Sequence, residues 1–327
     1  MRLAKVLTSV VFGSLLLACN STLIRAYAQE YPSRNVTIIV PFPAGGGNDI
    51  FARLIGQRLA AAFGRTVIVD NRPGASGNIG AEAVVRAAPD GHTILYGNAN
   101  VATTQAVPPK PAFDPQRDLA PVSMTVLIPF VLVTHPSLPV RNVKDLLALA
   151  KAKPGDLTFS AGSTGSITHL AMELLKLNTK LDARYVPYKG AAPSLVALLS
   201  GEVQMAFLVP PVVQSQIRNG KARTLAVSSL KRSTALPDIP TLHEAGVKDF
   251  EALQWHGFFV PARTPPAIVT RMHVEVVKAL AASEMKERLA TEGAEIVGST
   301  PMDFAAFFRS EVKKWSDVVQ RSGTKFE

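Results

Sequence analysis

The sequence predicts an α/β protein of two lobes, each a mostly parallel sheet flanked by helices. Three observations predict it. At 327 residues the chain is long enough for two domains. Short apolar, β-rich runs alternate with helical stretches over nearly the whole length. No repeat, low-complexity tract or long linker separates the two halves. With 47% hydrophobic and 18% charged residues, the composition suits a packed core rather than a disordered chain.

The N-terminus stands apart. Arg2 and Lys5 precede an apolar run from Val6 to Ala18, shorter than the about 20 residues a membrane-spanning helix needs. Ala26-Tyr27-Ala28 then supplies an A-x-A cleavage signature. Residues 1–28 read as a secretory signal peptide cleaved after Ala28. The alternative is cleavage before Cys19 with lipid anchoring; Leu17 fits that pattern poorly. Cys19 is the sole cysteine, so cleavage after Ala28 excludes disulfides, zinc–thiolate sites and thiol catalysis. It also removes Arg2, Lys5 and Arg25, taking the formal charge from +10 to about +7. The basic residues are scattered, with no Lys/Arg tract interleaved with aromatics, so nucleic acid is not an expected partner. A mildly positive field suits a small anionic ligand.

Val36–Val40 is a continuous apolar run, as in strands buried on both faces. A Pro/Gly loop leads to a helix over Ile50–Phe63, stopped at Gly64, and Thr66–Val69 is the next strand. This unit implies parallel strands and a right-handed crossover. A helix over Ile79–Ala87 and a strand over Thr93–Tyr96 follow. Val122–Val133 is a long apolar stretch interrupted at Pro129. Helices over Val143–Ala152, Ile167–Leu177, Ser194–Leu199 and Val212–Arg218 then alternate with strands over Leu157–Ser160, Ala183–Val186, Val203–Leu208 and Thr224–Ser228. Two long helical segments, Ala267–Thr291 and Met302–Arg321, end the chain, the second opened by Thr300 as N-cap and Pro301 at the first helical position. The chain is expected to cross between lobes near Leu127–Val133 and to return near Leu253–Pro261. Residues 30–132 plus 255–327 would form lobe 1, and residues 133–254 lobe 2.

Three loops carry the chemistry. Phe42-Pro43-Ala44-Gly45-Gly46-Gly47-Asn48-Asp49 leaves a strand and opens a helix. Its glycines permit left-handed angles and close approach of a ligand to the backbone. Unpaired N–H groups and the positive end of the helix dipole make an anion site that needs no cationic side chain. The contiguous glycines match neither G-x-G-x-x-G nor a P-loop. Gly162-Ser163-Thr164-Gly165-Ser166, with His169 in the first turn beyond it, repeats the design. So does Tyr188-Lys189-Gly190-Ala191, in which Lys189 is the only lysine of the three loops. Sheets of this kind bind ligands beyond the carboxyl ends of their strands. A cleft between lobes would bring these loops together. Arg72–Gly80 is a fourth glycine-rich helix start, equally suited to lining the cleft or simply turning the chain.

The chain resembles the tripartite tricarboxylate transporter receptors, or Bug proteins. The resemblance rests on residues 41–49, Asp70-Asn71-Arg72-Pro73-Gly74 with Gly77-Asn78-Ile79-Gly80, Ala88-Pro89-Asp90-Gly91, Pro187-Tyr188-Lys189-Gly190 and Phe258–Pro266. It covers essentially all of the chain after residue 28. It implies the type II, two-lobed periplasmic binding fold, closing like a Venus flytrap on a carboxylate held by main-chain groups and bridging waters from loops of both lobes, including residues 42–49. It further implies a monomeric periplasmic solute-binding protein serving membrane subunits of a tripartite tricarboxylate transporter, without cofactor or metal. Asn48 stands where the family commonly has Thr or Ser. Leu208 stands where a polar residue, often Asp, is common; that points away from free amino acids and towards an aromatic or otherwise apolar acid. Two other readings stay open: a binding protein that signals to a membrane kinase, and an exported hydrolase using Ser163 or Ser166 beside His169. No G-x-S-x-G elbow and no H-E-x-x-H metal spacing is present.

Overall fold

The computed structural model describes residues 31–326. The signal-peptide reading and Cys19 fall outside the described residues.

Two sheets organise the chain. The first is six-stranded, in the order β11-β4-β10-β3-β1-β2. Its parallel heart is β1 (Val36–Val40) between β2 (Val67–Asn71) and β3 (Thr93–Asn98). The long strands β4 (Leu119–Pro129) and β10 (Leu253–Pro261) run antiparallel to each other, and β10 is antiparallel to β3. The short β11 (Glu295–Ile296) edges β4. β1 is apolar throughout because both faces are covered. Ile38 and Val40 pack with Phe51, Ile55 and Leu59 of helix α1 (Gly47–Phe63). Ile39, pointing the other way, packs with Ala81 and Val84 of α2 (Asn78–Val85).

The second sheet is five-stranded: β7 (Ala183–Val186), β6 (Leu157–Ser160), β8 (Met205–Leu208), β5 (Val131–Thr134) and β9 (Arg223–Val227), in that spatial order. β7, β6 and β8 are parallel, and β5 runs antiparallel to β8 and β9. A four-residue helix, α3 (Asn100–Thr103), follows β3, and another, α4 (Pro115–Asp118), precedes β4. Helices α5 (Val143–Ala152), α6 (Ile167–Thr179), α7 (Ala191–Ser200) and α8 (Pro210–Arg218) connect strands of the second sheet. The C-terminal helical stretch expected over 267–291 is two helices, α9 (Pro266–Ala281) and α10 (Ser283–Thr291), parted by an extended Ala282.

The crossings between sheets are tied together. Phe130 alone separates β4 from β5. Its N–H donates to the Ser228 hydroxyl at 2.8 Å, and its carbonyl accepts from the Ser228 N–H at 2.9 Å. Ser228, fully buried, donates its own hydroxyl to the Ala252 carbonyl on the returning strand, and its carbonyl accepts from the Ala252 N–H at 3.0 Å. One hydroxyl therefore joins both crossings. The return itself occupies residues 228–252, and 253–261, read from sequence as the crossing, is strand β10 within the first sheet. Ser228→Ala leaves a buried amide and a buried carbonyl short of a partner. Urea denaturation should show a loss of about 1–3 kcal/mol; an unchanged midpoint would remove the tie.

The last helix, α11 (Pro301–Ser322), opens as expected: the Thr300 side chain accepts from the Asp303 N–H, and proline follows. Its buried stripe, Phe304, Phe308, Glu311, Trp315 and Val318, lies against β4 of the first sheet and α6 of the second. The Glu311 carboxylate accepts from the indoles of Trp255 (3.2 Å) and Trp315 (2.9 Å). The tail continues onto the second sheet's helix, where the Thr324 hydroxyl donates to Glu173 at 3.0 Å.

Candidate functional site

A cavity of about 970 Å³ lies between the carboxyl-end loops of the two sheets. The first sheet contributes Pro41, Phe42 and Pro43 after β1, Pro73 to Gly77 after β2, and Asn98 and Asn100 after β3. The second contributes the loops before α6 and α7, and Phe207, Leu208 and Val209 at the end of β8. Phe130 and Gln254 come from the crossing strands.

The loop after β1 is held from within. Gly45 takes a left-handed φ of +83° and donates its N–H to Asp49 Oδ2 at 2.9 Å. The other Asp49 oxygen pairs with Arg53 at 2.9 Å. Burial pushes the Asp49 carboxyl up, but Arg53, the Gly45 amide and the Asn71 side chain outweigh it and hold the group below the usual carboxylate range. Gly46 is the N-cap of α1 and supplies no side-chain cap. Among the described residues, the amides of Gly47, Asn48 and Asp49 therefore have no intramolecular acceptor. Phe42 and Pro43 form wall. Ala44 to Gly47 are exposed and Asn48 and Asp49 buried, and none of the six is part of the wall. Asn48 accepts from the Asn98 amide at 3.1 Å and leaves its own Nδ2 without a partner.

The loop before α6 differs from expectation. Its amides are largely engaged by neighbouring side chains: Gly162 to Thr168 Oγ1 (3.1 Å), Ser163 to Ser166 Oγ (3.2 Å) and Gly165 to His169 Nδ1 (3.1 Å). The Ile167 amide donates at 3.2 Å to Asn100 Oδ1, which reaches across from the first sheet. Gly162, Ser163, Thr164 and Ser166 line the cavity, whereas Gly165 and His169 do not. His169 is fully buried, its ring stacked on Tyr185 at 3.9 Å. Burial, with a smaller contribution from Lys176, pushes its pKa down to about 4. The Ser166 hydroxyl donates to the Ser163 carbonyl at 2.7 Å rather than to His169, so the Ser166–His169 pair that the alternative hydrolase reading needs is not formed.

The loop before α7 is the more open one. Gly190 is its N-cap, with φ 126° and ψ 167°, and no side chain caps the helix. The Ala191 amide has no intramolecular acceptor among the described residues. Tyr188, Lys189, Gly190 and Ala191 all line the cavity. Burial, then the nearby Glu202 carboxylate, push the Tyr188 hydroxyl up to about 12. Leu208 closes the wall from the end of β8.

Sequence reasoning left the loop after β2 undecided; it lines the cavity. Gly74, Ala75, Ser76 and Gly77 all have positive φ (131°, 46°, 54° and 103°), and strain at Ala75 and Ser76 is typical of functional loops. Asn98, Asn100, Phe130 and Gln254 were missed. The rule that ligands lie beyond strand carboxyl ends, applied to β3, would have found the two asparagines.

A family model described as the tripartite tricarboxylate transporter family receptor matches residues 51–324. The chain belongs to that family. It is 37% identical over 302 residues to Protein BugT of Bordetella pertussis, spanning 92% of this chain and 93% of that protein. Among solved structures, this receptor is similar to R. palustris Rpa4515 with adipate, at 36% identity and a TM-score of 0.81, covering 90% of this chain and 99% of that one. It is also similar to MatC from Rhodopseudomonas palustris with bound malate, at 31% identity and a TM-score of 0.78, covering 88% and 100%. For the periplasmic binding protein BugD the values are 32%, 0.78, 90% and 99%. The receptor thus has the two-lobed periplasmic binding fold. Among the described residues, no helix is long and apolar enough to cross a membrane.

Proposed function

We propose that this receptor captures a small organic carboxylate in the interlobe cleft, in the periplasm, and delivers it to the membrane subunits of a tripartite tricarboxylate transporter. One observation carries the reading: the uncapped start of α7 lines a cavity whose opposite wall includes Phe42 and Pro43, in the loop that leads to the uncapped start of α1. The N-cap glycines Gly46 and Gly190 leave α1 and α7 without side-chain caps, so main-chain N–H groups and the positive helix ends favour an anion. Capture is closure of the lobe built on the first sheet on the lobe built on the second, about the crossings tied at Phe130, Ser228 and Ala252. A ligand drives closure only by binding the closed arrangement more tightly than the open one, which requires contacts to both lobes.

The proposed ligand-contacting groups are residues 42–49 at one rim and Ser163, Thr164, Tyr188 to Ala191 and Leu208 at the other. Isothermal calorimetry against mono-, di- and tricarboxylates, with amines and sugars as controls, tests this. Binding by at least one carboxylate and by no amine supports it, and binding by amines or sugars alone refutes it. Delivery is tested by deleting the gene, which should abolish uptake of the bound acid.

A further inference from the structure

Resting on that carboxylate reading, we infer that the ligand is an acid with an apolar body and no ammonium group, an aromatic or long-chain mono- or dicarboxylate rather than an amino acid or a tricarboxylate. The charge around the cavity carries this. Among the described residues, Lys189 is the only ionisable cation on the wall, and no carboxylate is present there. The nearest carboxylates are unsuitable. Asp49 has one oxygen on the Gly45 amide and the other on Arg53. Glu202, near the Tyr188 hydroxyl, is exposed and outside the wall. A ligand ammonium desolvated in this cleft would have no counter-charge. Gln254 Oε1, buried without a partner, is a neutral acceptor that suits a hydroxyl or a water but balances no charge.

The wall chemistry points the same way. Phe130, Phe207 and Leu208 are almost wholly buried where they meet the cavity, and the Phe130 and Phe207 rings lie 6.4 Å apart. With Tyr188 and Val209 they make the second lobe's side largely apolar. A tricarboxylate would set charged groups against this surface, with one lysine to answer three negative charges. The about 970 Å³ of space accommodates a ring or an extended chain.

Calorimetry with matched pairs tests the inference: 3-phenylpropionate against phenylalanine, and adipate against 2-aminoadipate, with citrate alongside. Within each pair only the ammonium differs. The acid lacking it should bind at least about 100-fold more tightly, and citrate should bind more weakly than both acids. Leu208→Asp, which places a carboxylate on the wall, should narrow the gap within each pair by about tenfold or more. The wild-type pairs decide the question even if that variant does not fold. Amino partners binding within tenfold of the acids, or a preference for citrate, would overturn this inference and leave the carboxylate reading standing. Failure of every acid to bind would remove both.

Discussion

Gly190→Ala should weaken carboxylate binding by about 100-fold while the chain still folds. At φ 126° and ψ 167°, Gly190 occupies a region essentially reserved for glycine. A Cβ there would meet nothing closer than Pro193 Cδ at 3.7 Å, so the effect is conformational rather than steric. Alanine must rotate the peptide to a negative φ, or bear a strain of about 1–3 kcal/mol. Either response turns the Ala191 amide and the Tyr188–Lys189 segment away from the cavity they line. Gly46→Ala is the informative contrast. Gly46 already has φ −80° and ψ 166°, and its Cβ would meet only the Pro43 carbonyl at 3.6 Å. Its fold should be unaltered by thermal melting. Equal affinities for Gly190→Ala and the wild type would remove the α7 start from the site.

Mild acid should destabilise the receptor well before its carboxylates titrate. His256 is fully buried among Phe51, Tyr96 and Gln254, and burial pushes its pKa down to about 3. His169 is held at about 4. Its neighbours are Phe159, Tyr185, Phe326 and the Glu173 carboxylate at 3.8 Å. That carboxylate is already answered by Lys176 at 2.9 Å and Thr324 at 3.0 Å, and His169 Nδ1 must stay unprotonated to accept the Gly165 amide. Unfolded, both imidazoles titrate near 6.5. Between about pH 6.5 and pH 4 the unfolded chain therefore binds more protons, and stability falls as pH falls. By pH 5 the loss should be roughly 2 kcal/mol per histidine. Asp49, whose folded pKa is depressed, adds its own loss only below about pH 4, so the two windows separate. Urea denaturation at pH 7 and pH 5 measures this. His169→Asn, which keeps an acceptor for Gly165, should remove about half of the difference. A pH-independent midpoint over this range would contradict the placement of both rings.

The order of strands and helices was legible because burial on both faces makes a strand uniformly apolar, as in β1, and because caps such as Thr300-Pro301 and Gly64 mark helix ends. The three adjacent glycines were legible as a loop but not as a geometry. Gly45 is left-handed, whereas Gly46 and Gly47 are not among the positive-φ residues. His169 sits one turn into its helix in sequence, yet its ring turns inward because Gly165 donates to it, a contact that no spacing reveals. Asn100 is hidden for the opposite reason. It follows a strand that was read from the sequence, but its interest arises only when the fold brings the Ile167 amide to its side chain. Strand β10 was read as the return crossing between the lobes. In fact it pairs with β3 and β4 inside the first sheet.

A crystal structure of the receptor with adipate is the most direct test of how the anion is held. The account predicts carboxylate oxygens within hydrogen-bonding reach of main-chain N–H groups at the start of α7 and, from the opposite lobe, at the start of α1, with the methylene chain over Leu208 and Phe207. A carboxylate paired to Lys189 Nζ alone, or an acid seated outside the cleft, would contradict it.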